Sequence, residues 1–228
     1  MIRLLFPHIC VLCHNASHSI HDLCDTCFDH FPIIPHACVR CATPLSTDKT
    51  PLTCGLCLTK PPSFDIIHTL YHYEQPVTRL ILDLKFNHTL IYAALLGRLM
   101  LEHVQSTWYR SKPLPDILMP MPLHAARLKE RGFNQALEIA RPLAKTLKIA
   151  LEIEMSRRIK PTLPQATLSA TARSQNIKGA FSVTKNVVNK HIAIIDDVVT
   201  TGSTVSALST ALKDRGARQI DVWCIARS

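Results

Sequence analysis

Eight of the nine cysteines in this 228-residue chain fall before residue 58, as four C-x2-C pairs: Cys10/Cys13, Cys24/Cys27, Cys38/Cys41 and Cys54/Cys57. Successive pairs are separated by 10, 10 and 12 residues. A C-x2-C step turns two thiolates toward one cation from a tight knuckle, and two knuckles complete a tetrahedron around Zn2+. Disulfides would need an oxidising compartment. The opening MIRLLFPHIC argues against export, because its brief apolar stretch is broken by Pro7 and His8. The spacing therefore predicts two structural zinc ions, each with four thiolates and no coordination position left for catalysis. Sequential sites and interleaved sites both fit the intervals; sequential pairing is favoured because each site then closes a short loop. His8, His14, His21 and His36 lie nearby, but eight thiolates already fill two sites, so these histidines are expected at the surface or beside the metals. A segment so short and so rich in cysteine should depend on metal for its fold.

Beyond Pro61, Pro62 and Ser63 the texture changes to long apolar patterns, which places a boundary between residues 1–60 and 61–228. Ile66–Tyr73 reads as a strand. Pro76 suits the first turn of a helix with Leu80, Ile81 and Leu84 on one face. A second helix is expected over Ile91–Val104 and a short strand over Asp116–Met119. Phe133–Leu147 reads as a helix whose shared face is Phe133, Leu137, Ala140, Ala144 and Leu147. A strand over Ala150–Met155 precedes a long loop at 156–172, and a helical turn and a strand ending near Val183 follow. His191–Asp196 is a buried strand, Ser203–Arg215 a helix stopped by Gly216, and Gln219–Ala226 the last strand. Cys224 lies in that last run and reads as an inert strand residue. Strands alternating with helices predict an α/β fold with a parallel sheet covered on both faces. No stretch approaches the roughly 18 apolar residues of a membrane span, so a cytoplasmic protein is expected.

The most informative stretch runs from Ile192 to Thr204. An apolar strand delivers two carboxylates, Asp196 and Asp197, at its carboxyl end. Val198, Val199, Thr200, Thr201, Gly202, Ser203 and Thr204 then lead into a helix N-terminus. Converging N–H groups, small hydroxyls and the positive end of a helix make a phosphate site there. Gly202 lets the backbone approach, and the two acids can accept bonds from sugar hydroxyls or help hold Mg2+. The loop lacks the Gly-Lys-Ser/Thr of a P-loop, which argues against an ATPase.

This segment resembles the phosphoribosyl-diphosphate (PRPP) signature of type I phosphoribosyltransferases. Met119–His124, followed by Arg127, Lys129 and the run Arg131-Gly-Phe-Asn-Gln135, resembles the competence protein F (ComF) family, as does Arg173-x-x-Asn176-x-x-Gly179-Ala-Phe181. That resemblance covers nearly the whole chain. It implies a double zinc ribbon before a phosphoribosyltransferase-like domain, and a role in handling incoming single-stranded DNA during natural transformation. It also implies PRPP with Mg2+ as ligand, held by Asp196, Asp197 and Val199–Thr204. Pro120, Met121, Pro122 and Leu123 would form a pyrophosphate loop, and 157–172 a loop closing over PRPP. Arg127, Arg131, Arg158, Lys160 and Arg173 could neutralise the departing diphosphate. DNA-uptake or helicase machinery near the inner membrane would be the partner, with the protein peripheral to that membrane.

The chain carries 26 Lys+Arg against 17 Asp+Glu, a formal +9 that two zinc ions with eight thiolates would reduce to nearer +5. The excess is concentrated in residues 110–190, with 15 basic and 5 acidic side chains. Such a tract can attract nucleic acid, but a PRPP pocket alone also needs basic residues. Stacking platforms in that tract are thin, since Phe133 and Phe181 both suit a core. The competing expectation is a true phosphoribosyltransferase with an unidentified acceptor. No specificity hood stands out beyond the 65–105 segment and no general base is identifiable; His124 lies near the expected pyrophosphate loop and could serve, but a lone histidine is more often structural.

Overall fold

The structure is a computed structural model that describes residues 8–17, 22–46, 52–160 and 179–228. In the N-terminal part, a two-residue hairpin pairs β1 (His8–Ile9) with β2 (Ala16–Ser17), and two five-residue helices follow, α1 (Asp25–Asp29) and α2 (Gly55–Thr59). Each short helix starts immediately after the first cysteine of a knuckle, Cys24 or Cys54, which stands at its N-cap.

The main body contains β3 (Ile66–His72), α3 (Val77–Phe86), α4 (Leu90–His103), β4 (Ile117–Pro120), α5 (Ala125–Arg131), α6 (Gln135–Leu147), β5 (Ala150–Leu151), β6 (Ser156–Arg158), β7 (Phe181–Val183), β8 (His191–Val199), α7 (Ser203–Lys213) and β9 (Gln219–Arg227). Five strands form one sheet in the order β3-β9-β8-β4-β5, with every pair parallel. The strands of β8 and β9 are nearly continuous apolar runs because both faces are covered. Along β8, Ala193 and Ile195 pack with α3, α4 and α6, whereas Ile192 and Ile194 pack with Val205, Leu208 and Leu212 of α7. This alternation is the period of two that a strand imposes. Among the described residues, no helix is long and apolar enough to cross a membrane.

Several elements differ from the sequence reading. The strand expected at 150–155 stops at Leu151, on the sheet edge. Residues 156–158, expected to open a loop, instead form β6 and pair antiparallel with β7. The helix α5 has no counterpart in the sequence reading. It is set by its ends: the His124 ring accepts a bond from the Ala126 N–H at 3.3 Å, and Gly132 closes it at φ 76°. Helix α6 starts two residues later than expected, because Asn134 caps it by accepting from the Ala136 N–H at 3.0 Å. Its buried stripe is Ala136, Ile139, Ala140, Leu143 and Ala144, rotated from the expected face, and Phe133 lies outside the helix. The helical turn expected before β7 falls outside the described residues.

The cysteine-rich segment is stitched to the free edge of β3. The N–H groups of Ile67 and His72 donate to the carbonyls of Arg40 (2.8 Å) and Pro32 (2.7 Å). Cys10, Leu23 and Phe31 join the apolar cluster on one sheet face, and Cys38, Cys41 and Cys57 join the cluster on the other. At the end of the sheet where β8 and β9 begin, the buried Asp221 accepts from Tyr109 Oη and pairs with His191 Nε2 at 2.8 Å, so its charge is satisfied. Cys224 is fully buried, and burial pushes its thiol up to about 12, as an inert strand cysteine requires.

Candidate phosphate site and metal centres

The eight paired thiols form two clusters, Cys10/Cys13/Cys24/Cys27 and Cys38/Cys41/Cys54/Cys57, each with its sulfurs within 4.8 Å of one another. The arrangement is sequential. Cys13 and Cys24 sulfurs lie 3.6 Å apart, as do those of Cys41 and Cys54, near the ~3.8 Å edge of a tetrahedron with Zn–S of about 2.3 Å. The Cys27 and Cys54 N–H groups donate to Cys24 Sγ (3.4 Å) and Cys38 Sγ (3.2 Å). Burial raises the Cys10 and Cys38 thiols, but backbone N–H groups outweigh it and bring each down to about 6. Cys27 and Cys57 are pushed up by burial and by the neighbouring sulfurs. Four thiolates so close repel unless a divalent cation sits among them, and the donor set fits one zinc ion per cluster.

The candidate phosphate loop lies where β8 ends. Its residues Thr200–Ser203 bend through Gly202, at φ 76°, into the N-terminus of α7. A β-carbon at Gly202 would meet only the Phe64 ring at 3.8 Å, so the backbone angle, rather than crowding, is what requires glycine. Thr201 Oγ1 and Ser203 Oγ are 2.8 Å apart, and the Ser203 N–H points to Thr201 Oγ1 at 3.3 Å.

Beside the loop is an open pocket of ≈ 610 Å³, mouth included. Of the residues expected from the sequence, Asp196, Asp197, Val199, Thr200, Gly202, Ser203, Thr204, Met121, Leu123, Arg127 and Arg158 line it together. Pro120 and Pro122 are buried and not in its wall, and Thr201 turns toward Ser203. Arg131 is not in its wall, and Lys160 is exposed on the strand end beyond β6. Arg173, with most of the expected closing loop, lies outside the described residues.

The structure adds two side chains that sequence reasoning gave no role. Lys85, on the last turn of α3, forms an ion pair with Asp197 Oδ2, and Gln135 Nε2 donates to Asp197 Oδ1 at 3.0 Å. Arg131 in turn donates to Gln135 Oε1 at 2.5 Å. Burial alone would raise Asp197, but the Lys85 ammonium and the Gln135 amide hold its carboxyl below the usual range. Burial, and then the charge of Asp197, push Asp196 well above it. The pair thus divides into one anchored carboxylate and one that burial and its neighbour disfavour as an anion in spite of Lys85, a cost that a sugar hydroxyl or a cation would relieve.

Asn134 Nδ2 donates to the Met121 carbonyl at 3.0 Å, so the cap of α6 also fixes the expected pyrophosphate loop. Burial and the nearby Arg127 lower the Arg158 pKa, and an anion between the two guanidinium groups would relieve that crowding. His124 uses Nδ1 as a helix-capping acceptor, a structural role.

Residues 1–58 match the double zinc ribbon domain family, and residues 133–228 match the phosphoribosyl transferase domain family. The chain is 35% identical over 227 residues to DNA utilization protein YhgH of Salmonella typhi, covering 99% of both sequences. It is 34% identical over 228 residues to Competence protein F of Haemophilus influenzae, covering 98% of both. Among solved structures it is similar to a purine phosphoribosyltransferase from Pyrococcus horikoshii, at 19% identity and a TM-score of 0.34, over 58% of this chain and 70% of that one.

Proposed function

Because the chain belongs to the family of DNA utilization protein YhgH and Competence protein F, a double zinc ribbon with a phosphoribosyltransferase domain, we propose that it binds PRPP with Mg2+ and handles single-stranded DNA entering the cell during natural transformation. The observation that carries the ligand is the pocket in which Asp196, Asp197, Arg127, Arg158 and the Gly202 loop converge. Loop amides and the two arginines suit the phosphates, and the carboxylate pair suits ribose hydroxyls and the cation. Mg2+ would neutralise diphosphate oxygens; the residues here bind, orient and shield.

The DNA half is supported by the names of the relatives, by the basic tract at 110–190, and by a surface that only the fold brings together. Phe86 is 65% exposed at the end of α3, with the Arg131 guanidinium over its ring at 5.7 Å from the centroid. A cation beside an exposed aromatic face is a surface on which a base can stack. Its partner would be the uptake or helicase machinery at the inner membrane. A phosphoribosyltransferase with an unknown acceptor is the second reading, favoured by the same pocket.

One experiment separates the readings. PRPP with Mg2+ should raise the melting temperature, since binding to the folded state alone stabilises it by about 2.7 kcal/mol at a hundredfold excess over Kd. Pyrophosphate release should stay at background without single-stranded DNA and with it. Release with either would favour transfer chemistry. No thermal shift would remove the PRPP reading, and no retention of a long single strand at low salt would remove the DNA reading for the isolated protein.

A further inference from the structure

The second four-cysteine cluster and the phosphate loop share one buried side chain. Arg227, the last residue of β9, is 5% exposed. Its Nε donates to the Cys41 carbonyl at 3.0 Å, and Nη2 donates to Thr43 Oγ1 at 2.6 Å. Thr43 Oγ1 lies 3.1 Å from the Cys41 sulfur. On the other side, Nη1 donates to the Val199 carbonyl at 3.2 Å and to the Thr200 carbonyl. One planar fork therefore grips a metal knuckle and the first residue of the loop at the same time. A lysine could not, because an ammonium on a flexible stem lacks the fixed, divergent donors.

The grip has a geometric consequence. A peptide unit is planar, so a bond to the Thr200 oxygen sets the direction of the Thr201 N–H, and a bond to the Val199 oxygen sets that of Thr200. Both amides belong to the stretch read above as the phosphate loop. The first cluster is connected differently. Asp22, next to it, accepts from Arg98 of α4 at 2.5 Å, and the Val11 carbonyl accepts from Tyr92 Oη at 3.5 Å. Its apolar residues pack in the cluster on the other sheet face.

We propose that Arg227 is a positioning residue for the phosphate loop, and that through it the metal in the second cluster, but not in the first, holds the loop in its binding shape. The proposal rests on the reading of this loop as a phosphate site. It makes that site dependent on zinc: stripping the second cluster frees the Cys41–Thr43 knuckle, and with it one arm of the fork.

The test compares full-length Cys54→Ser, Cys13→Ser and Arg227→Lys, each with its zinc content measured. The readouts are amide exchange across 198–204 in the ligand-free protein and calorimetric affinity for PRPP with Mg2+. Cys54→Ser and Arg227→Lys should each speed that exchange, and weaken PRPP binding, by about tenfold, whereas Cys13→Ser should change neither by more than about twofold. Combining Cys54→Ser with Arg227→Lys should add little, as expected of two changes in one linkage. Unchanged exchange in a Cys54→Ser protein that has lost its ion would overturn the proposal, as would equal acceleration in Cys13→Ser. If Cys54→Ser unfolds the sheet, Arg227→Lys decides alone: with both ions retained, wild-type exchange across the loop sinks the idea. Failure of the wild type to bind PRPP counts against the phosphate reading, and the exchange data still judge the linkage.

Discussion

At the scale of single residues, the site turns on Asp197. Its buried carboxylate is held by Lys85 and Gln135, so removing the cation leaves a charge without compensation. Lys85→Met should cost about 3 kcal/mol, the low end for breaking a buried pair because Lys85 keeps some exposure. Asp197 is depressed in the folded state, so its stabilising contribution is present above the ordinary carboxylate range and is lost as pH falls through the folded value. Lys85→Met should erase that part of the acid dependence, and urea titrations of both proteins at neutral and acidic pH would check it. In the loop, Thr201→Val should lose part of PRPP affinity and Gly202→Val nearly all, because only the second forces a β-branched residue to positive φ. A calorimetric series giving the two variants equal losses would contradict this. Asp196, Asp197 and Gly202 were legible because they lie within one short stretch of chain and line one pocket. Lys85 was not: its apolar helix carries no local mark of a partner on a distant strand.

At the scale of elements, helices α4 and α6 meet at one close approach. A β-carbon on Gly97 would lie 2.9 Å from Pro142 Cγ and 3.0 Å from the Ile139 carbonyl oxygen. Neither atom is the tip of a flexible side chain, so Gly97→Ala should destabilise by about 1–3 kcal/mol in spite of the better helix former. A melting temperature at or above wild type would show that the helices can separate without cost. The strands β8 and β9 and the helices α3 and α7 were readable from apolar runs and caps. The stripe of α6 was misplaced because its apolar residues also fit a second face, and packing with α4 and the sheet buries Ile139, Ala140, Leu143 and Ala144. Strand β6 was unreadable because its pairing with β7 spans residues that carry no periodicity.

At the scale of the molecule, the cysteine-rich segment is no free appendage in its contacts, since each cluster adds apolar residues to a different face of the sheet. Purified protein should contain about two zinc ions per chain, one per four-thiolate site. Cys24→Ser should release one ion and loosen the packing around Cys10, Leu23 and Phe31 while β8 and β9 stay paired. Elemental analysis showing one zinc or none in reduced, unchelated wild type would refute the two-site arrangement.

By itself the sequence determined the local arrangement: four knuckles, because thiolates with two residues between them can face one cation, and a glycine turn between two acids and a helix N-terminus, because strand, acids, glycine and helix follow one another in order. It also determined the parallel α/β class, through apolar strands alternating with helices. Only the tertiary structure decided which knuckles join, that Lys85 anchors Asp197, and that Phe86 reaches the basic tract. It alone decided that Arg227 ties the Cys41 knuckle to Thr200. Each of these joins residues distant along the chain, and their meeting depends on strand order and sheet-face packing, which no local pattern encodes.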